Sequence, residues 1–167
     1  MIILGIDPGI AIVGWGVLRY EKGRFTPLGF GSIQTKAGQK VEDRLKQVHD
    51  GLSAIIEKFH PDVMAIEELF WNTNQKTGIV VAEARGVIIL AARQANIPIF
   101  EYTPLQVKQA IVGYGRAEKK QVIMMVTTFL GLKEPPKPDD TADAVAIITA
   151  VENQQILVIE GNLENTV

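Results

Sequence analysis

The hydrophobic period of this chain changes near Lys40, and that change restricts the fold more than any single residue does. Before it, residues 2–6 form a short apolar run, Asp7-Pro8-Gly9 a turn, residues 12–18 a β-rich run with Gly14 and Gly16, and residues 25–35 a third run after Glu21-Lys22-Gly23. Strand-like runs separated by turn residues predict three antiparallel strands in a meander. After it, Val41, Leu45, Val48, Leu52, Ile55, Ile56 and Phe59 recur at intervals of three and four, the spacing of one helical stripe, which ends before Pro61. Residues 62–66 and 96–102 read as two further strands with a helix over about 78–95 between them, which is a βαβ unit. A parallel unit added to an antiparallel meander makes a mixed α/β sheet of five strands covered by helices. The spacing predicts three more helices over 104–112, 118–131 and 141–151, with Glu134-Pro135-Pro136-Lys137-Pro138 as a stiff connector.

The chain's 167 residues suit a single domain, large enough to bury about two-thirds of the surface its unfolded form exposes. It has no cysteine, which excludes disulfide scaffolds, zinc-thiolate sites and thiol nucleophiles together. The first twenty residues lack a basic start, and Asp7 and Pro8 interrupt their apolar run. They read as neither a signal peptide nor a membrane span, so a cytoplasmic protein is expected. Seventeen Lys and Arg against nineteen Asp and Glu exclude a uniformly cationic surface, and any contact with nucleic acid must be a local patch.

Three segments carry carboxylates where chemistry is expected. Asp7 closes the first apolar run ahead of Pro8-Gly9, at the carboxyl end of a central strand, although Asp-Pro-Gly is also ordinary turn chemistry. Glu67 and Glu68 end the fourth strand and point to opposite faces, so only one can join Asp7; a solvated strand end is the plain alternative. Asp140 and Asp143 lie three apart at the start of an otherwise apolar helix and share one helical side. Pro138 and an N-cap near residue 139 put Asp139 outside the first turn as a capping residue, whereas capping does not explain Asp143, which has alanines on both sides. Carboxylates without a His or Cys cluster suit hard cations such as Mg²⁺ or Mn²⁺. Four of them in one cleft repel unless metal neutralises them, and two divalent ions about 3.5 to 4 Å apart are the arrangement used in phosphodiester hydrolysis.

The stretch 104–128 holds Lys108, Arg116, Lys119 and Lys120 against Glu118 alone, so positive charge is concentrated there. Gly113-Tyr114-Gly115-Arg116 precedes a helix start where phosphate can be held, although any one of these lysines also fits a solvated helix start. Phe70-Trp71-Asn72 follows the carboxylate strand end; an aromatic pair there can stack on unpaired bases, and Phe70 fits an ordinary core position equally well. His49 and His60 are isolated and receive no role.

The ordered set LGIDPG, AIEELF, VKQAIVGYGRAEKKQV and DDTADAVAIIT resembles the RuvC family of Holliday-junction resolvases, across the chain to about Val151. The resemblance implies a ribonuclease-H-like fold, a mixed five-stranded sheet with helices on both faces, in a nuclease domain over 1–153 followed by a C-terminal tail over 154–167. It implies a homodimer that binds a four-way DNA junction and nicks two symmetric strands with Mg²⁺, two ions per site, with Mn²⁺ as a substitute, leaving 5′-phosphate and 3′-hydroxyl ends. It also implies partnership with the RuvA and RuvB branch-migration proteins. Carried over by position, the catalytic metal ligands fall on Asp7, Glu67, Asp140 and Asp143; the stacking aromatic falls on Phe70; the DNA contacts fall on Lys108 and Lys119, with Arg116 and Lys120 beside them. The chain departs from many members in not being basic overall, and in doubling the acid at Asp139-Asp140. Two other readings are a sugar or acetate kinase of the actin-like superfamily, which needs two such domains, and a catalytically dead binding module, which need not keep four carboxylates.

Overall fold

The computed structural model describes residues 1–69 and 75–154. Its elements in chain order are β1 (Ile2–Asp7), β2 (Ile12–Glu21), β3 (Arg24–Gln34), α1 (Val41–Phe59), β4 (Val63–Glu67), α2 (Gln75–Gln94), β5 (Ile99–Tyr102), α3 (Pro104–Val112), α4 (Lys119–Phe129) and α5 (Asp139–Gln154). The strands form one sheet in the order β3-β2-β1-β4-β5. The hairpin strands pair antiparallel, β1 pairs parallel with β4, and β4 with β5. This is the mixed five-stranded sheet that the change of period predicts.

Strand alternation divides the core into two. Ile3, Val63, Ala65 and Tyr102 pack with residues of α3, α4 and α5, whereas Leu4, Ile6, Met64 and Ile66 pack with α1 and α2 on the opposite face. Because side chains alternate along a strand, Asp7 shares the side of Ile3, and Glu67 the side of Val63 and Ala65. Both carboxylates therefore belong to the face that α5 covers, and Glu68 does not.

Local chemistry sets the ends of the helices that matter here. Helix α1 carries Glu42 and Asp43 in its first turn and Lys58 in its last, favourable with its dipole, and stops at His60, left-handed at φ 47° ahead of Pro61. Thr103, Pro104 and Gln106 open α3 as N-cap, N1 residue and capping-box partner. Gly113, at φ 90°, closes it. Several boundaries differ from the pattern-based expectation, among them the start of α2 at Gln75 and the end of β2 at Glu21, and two have a clear local cause. Strand β5 begins at Ile99 rather than Asn96, because Asn96 is left-handed and the Ile97 N–H bonds back to Ala92 at 3.0 Å, finishing α2. Helix α5 begins at Asp139, since the Thr141 N–H donates to the Pro138 carbonyl at 2.9 Å and closes the first turn early. Asp139 is thus the first helical residue rather than a cap.

Helix α5 is buried on nearly all sides, with Thr141, Ala142, Ala144, Val145, Ala146 and Ile148 fully inaccessible. It lies directly on β1 and β2 because the strand residues beneath it have no side chain. A Cβ on Gly5 would collide with the Ala144 carbonyl oxygen, and one on Gly14 with the Asp140 carbonyl oxygen. Gly14 is the register partner of Asp7, so the space beside the strand acid is filled by the backbone of the helix that carries the other two. The Thr141 hydroxyl fastens the same turn to β3 by donating to the Gly31 carbonyl at 3.1 Å.

Gly5→Ala is expected to destabilise the fold by about 1–3 kcal/mol through overpacking against backbone. Gly86→Ala, in α2 with open space around it, is expected to stabilise by roughly 0.5–1 kcal/mol. Urea denaturation of the two variants checks the contrast.

Candidate active site

The carboxyl ends of β1 and β4 lie side by side, since Ile6 and Ile66 are register partners. Asp7 and Glu67 follow them on the same face, under the first two turns of α5, which carry Asp140 and Asp143. The Asp7 carboxyl is pushed up to about 8, first by burial and then by the charges of Glu67, Asp143 and Asp140, with Lys119 opposing. Glu67 is pushed up to about 7 by burial and by Asp143, against the pull of Lys108 and Lys119. Asp143 is raised too, chiefly by burial, although its bond to Lys119 works the other way. The four acids proposed from the sequence thus share one electrostatic neighbourhood at the end of the central strands.

Lys119, the first residue of α4, is the cation paired directly with these acids. Its ammonium lies 2.9 Å from Asp143 and 3.9 Å from Asp139, and its side chain is 51% exposed. Burial disfavours its charge, but the hydrogen bond to Asp143 and the nearby aspartates hold its pKa above the ordinary lysine value. Together with Lys108, Glu67 and Asp143 it lines an open cleft of about 260 Å³, whose apolar wall is Pro104, Val107, Val122 and Ile147. Those wall residues are not distinguishable in the sequence from other members of their helical stripes. Arg116 and Lys120 are exposed in the α3–α4 loop and the first turn of α4, outside the cleft lining. The N-cap of α4 is Glu118, whose own N–H donates to Gln121 at 2.8 Å, so an acid caps the helix end that the sequence offered to phosphate. Phe70 and its neighbours Trp71 and Asn72 lie outside the described residues, as does nearly all of the 154–167 tail. His60 caps α1, and His49 meets Gln94 at 3.1 Å; neither belongs to the cleft.

Among the described residues, no three His, Cys, Asp or Glu side chains close to metal-ligand spacing. Like charges with only an ammonium between them have no reason to close further, and Asp143 is turned to that ammonium instead. The donor set nevertheless fits a hard divalent cation: it is all oxygen, converges from three elements, and its members already raise one another's pKa. Asp140 and not Asp139 is among the charges that act on Asp7.

A mixed sheet of this order, with carboxylates gathered at the ends of its central strands and helices on both faces, is a ribonuclease-H-like fold. The family model described as crossover junction endodeoxyribonuclease RuvC matches residues 3–151. The RuvC protein of Alkaliphilus oremlandii is 55% identical over 147 residues, 88% of this chain and 90% of that one. The structure of Thermus thermophilus RuvC superposes with a TM-score of 0.83 at 35% identity, covering 91% of this chain and 93% of that one. The same Thermus protein in complex with its Holliday junction substrate gives 0.83 at 33% identity, with the same coverage. The chain belongs to the RuvC family of crossover junction endodeoxyribonucleases.

Because the folded chain holds Asp7 and Glu67 above their unfolded pKa values, it retains protons that the unfolded chain releases. Stability is therefore lost as pH rises from about 4 toward 8 when no metal is present. Asp7→Asn is expected to raise the melting temperature at pH 8 in EDTA by roughly 5 °C, as about 2 kcal/mol does in a domain of this size, and to raise it little at pH 4. Thermal unfolding monitored by circular dichroism at the two pH values measures this.

Proposed function

We propose that this protein resolves four-way DNA junctions in homologous recombination and repair. As a homodimer it nicks two symmetric strands and leaves 5′-phosphate and 3′-hydroxyl ends. The observation that carries the reading is the gathering of Asp7, Glu67, Asp140 and Asp143 from β1, β4 and α5 into one cluster of interacting charges, of which Glu67 and Asp143 line a cleft together with Lys108 and Lys119. Membership of the family, and the junction bound by the Thermus relative, support the substrate. Mg²⁺, two ions per site with Mn²⁺ as a substitute, is the proposed cofactor, held by those four carboxylates. When bound it supplies neutralisation of phosphate charge and a more acidic water.

The chain's own residues do the rest. Lys108 and Lys119 attract the scissile phosphate into a cleft whose carboxylates alone would repel it. As Lys119 turns toward phosphate it releases Asp143, so substrate entry and assembly of the ligand set are linked. The raised pKa values of Asp7 and Glu67 mean that cation binding must expel protons, and affinity for the ion rises with pH through about 7 to 8. Phe70 is proposed to stack at the opened junction centre, and Arg116 and Lys120 to meet phosphates farther along the arms. Among the described residues no helix is long and apolar enough to cross a membrane. The proposed setting is the bacterial cytoplasm with the RuvA-RuvB branch-migration complex as partner. Residues 1–153 are proposed as the nuclease domain and 154–167 as its tail.

The test is a labelled four-way junction with Mg²⁺, assayed for nicking and by gel shift together. Paired symmetric nicks are expected. Asp7→Asn, Glu67→Gln, Asp140→Asn and Asp143→Asn are each expected to lower the rate at least about 100-fold with binding intact, the loss of several kcal/mol of charge stabilisation. Asp139→Asn is expected to stay near the wild-type rate; the reverse order for residues 139 and 140 would reassign the ligand. Replacing Mg²⁺ by Ca²⁺ is expected to permit binding and suppress cleavage.

Lys108→Ala or Lys119→Ala is expected to weaken binding to all sequences alike. Each is expected to reduce the slope of log affinity against log salt by about one. Titrations at several salt concentrations read the slope, and an unchanged value would mean that these lysines do not meet phosphate.

A further inference from the structure

One cation near the strand ends is not in the cleft at all. Arg85 lies in the middle of α2, on the opposite side of the sheet from α5, with a side chain only 16% exposed. Its Nε donates to the backbone carbonyl of Glu67 at 3.3 Å, and its terminal nitrogen pairs with the Glu101 carboxylate of β5. Glu101 lies between Phe100 and Tyr102, which pack with α3 to α5, and so presents its side chain to the α2 side. The strand end is tied a second time on β5, where the Glu68 N–H donates to the Tyr102 carbonyl at 2.9 Å. Arg85 is absent from the charges that shift the Glu67 carboxyl. It touches the Glu67 backbone from below while the side chain points above.

We propose that Arg85 is a positioning residue for the active site, holding the Glu67 peptide at the end of β4 so that the Glu67 carboxylate is presented to the cleft at a fixed angle. The planar fork of a guanidinium is needed because one group must reach a carbonyl and a carboxylate at once. A lysine at this position keeps a charge for Glu101 but lacks the separate Nε donor that meets the Glu67 carbonyl. The proposal rests on reading Glu67 as a cation ligand. Outer partners that orient a ligand typically change metal affinity by about 10 to 100-fold when removed.

The test uses Mn²⁺ titration by calorimetry on the full chain without DNA, alongside junction affinity, single-turnover cleavage and urea stability. Arg85→Lys is expected to weaken Mn²⁺ binding about tenfold and to slow cleavage of bound junction, with junction affinity and urea midpoint near wild type. Glu101→Gln is expected to move the same quantities in the same direction, less far. Adding Arg85→Lys to Glu67→Gln is expected to lower Mn²⁺ affinity no further than Glu67→Gln alone, because the arginine acts through that one residue. Wild-type Mn²⁺ affinity in Arg85→Lys, or losses that multiply in the double variant, would overturn the positioning role while leaving Glu67 a ligand. Unchanged Mn²⁺ affinity in Glu67→Gln itself would overturn the ligand reading, and the proposal with it.

Discussion

Crowding of like charge at the carboxyl ends of β1 and β4 is the constraint around which the rest of the structure is arranged. Asp7 and Glu67 are adjacent because two parallel strands end in register, and α5 brings Asp140 and Asp143 down on the same side. Such a cluster costs stability unless cations answer it, and the fold supplies one from α4 by setting the Lys119 ammonium 2.9 Å from Asp143. Helices α3 and α4 are seated by the apolar core they share with α5, and that seating also serves the acids. Their facing turns deliver Lys108 and Lys119 to the rim, and Val107 and Val122 of the same helices form the apolar wall. Local positive charge on a chain of net −2 is thus spent where the acids are. The acidic Glu118 cap of α4 means that side chains, more than the helix end, supply the attraction for phosphate.

Much of the fold was legible, because period alone separates strands from helices, and the meander, the βαβ unit and the later helices are all present in the order expected, with ends shifted by up to three residues. What the pattern lacks is pairing. That Glu67 rather than Glu68 joins Asp7 follows from the parallel register of Ile6 with Ile66, a contact between residues sixty apart. The start of α5 was missed because Pro138 accepts from Thr141 and closes a turn that residue preference alone assigns to a later cap. The bond between Lys119 and Asp143 is a tertiary event, and a lysine at a helix start reads as solvated until the helix opposite is placed.

Arg85 was invisible for a related reason. A charged residue in the middle of a helix reads as solvent-facing, and nothing in the spacing shows that its guanidinium reaches a strand carbonyl on a neighbouring element. Conversely, Asp7 stood out in the sequence because it closes an apolar run, and Asp140 and Asp143 because they lie three apart at the start of an otherwise apolar helix. The acids of the site are conspicuous one by one, and the groups that hold them in place are not.

The contact between Gly14 and the Asp140 backbone carries a consequence for how this protein can vary. The spacing between the strand acid and the helix acids is gauged by main chain against main chain, with no rotamer in between. A single added methyl group at residue 14 would alter that spacing while leaving all four carboxylates in the sequence.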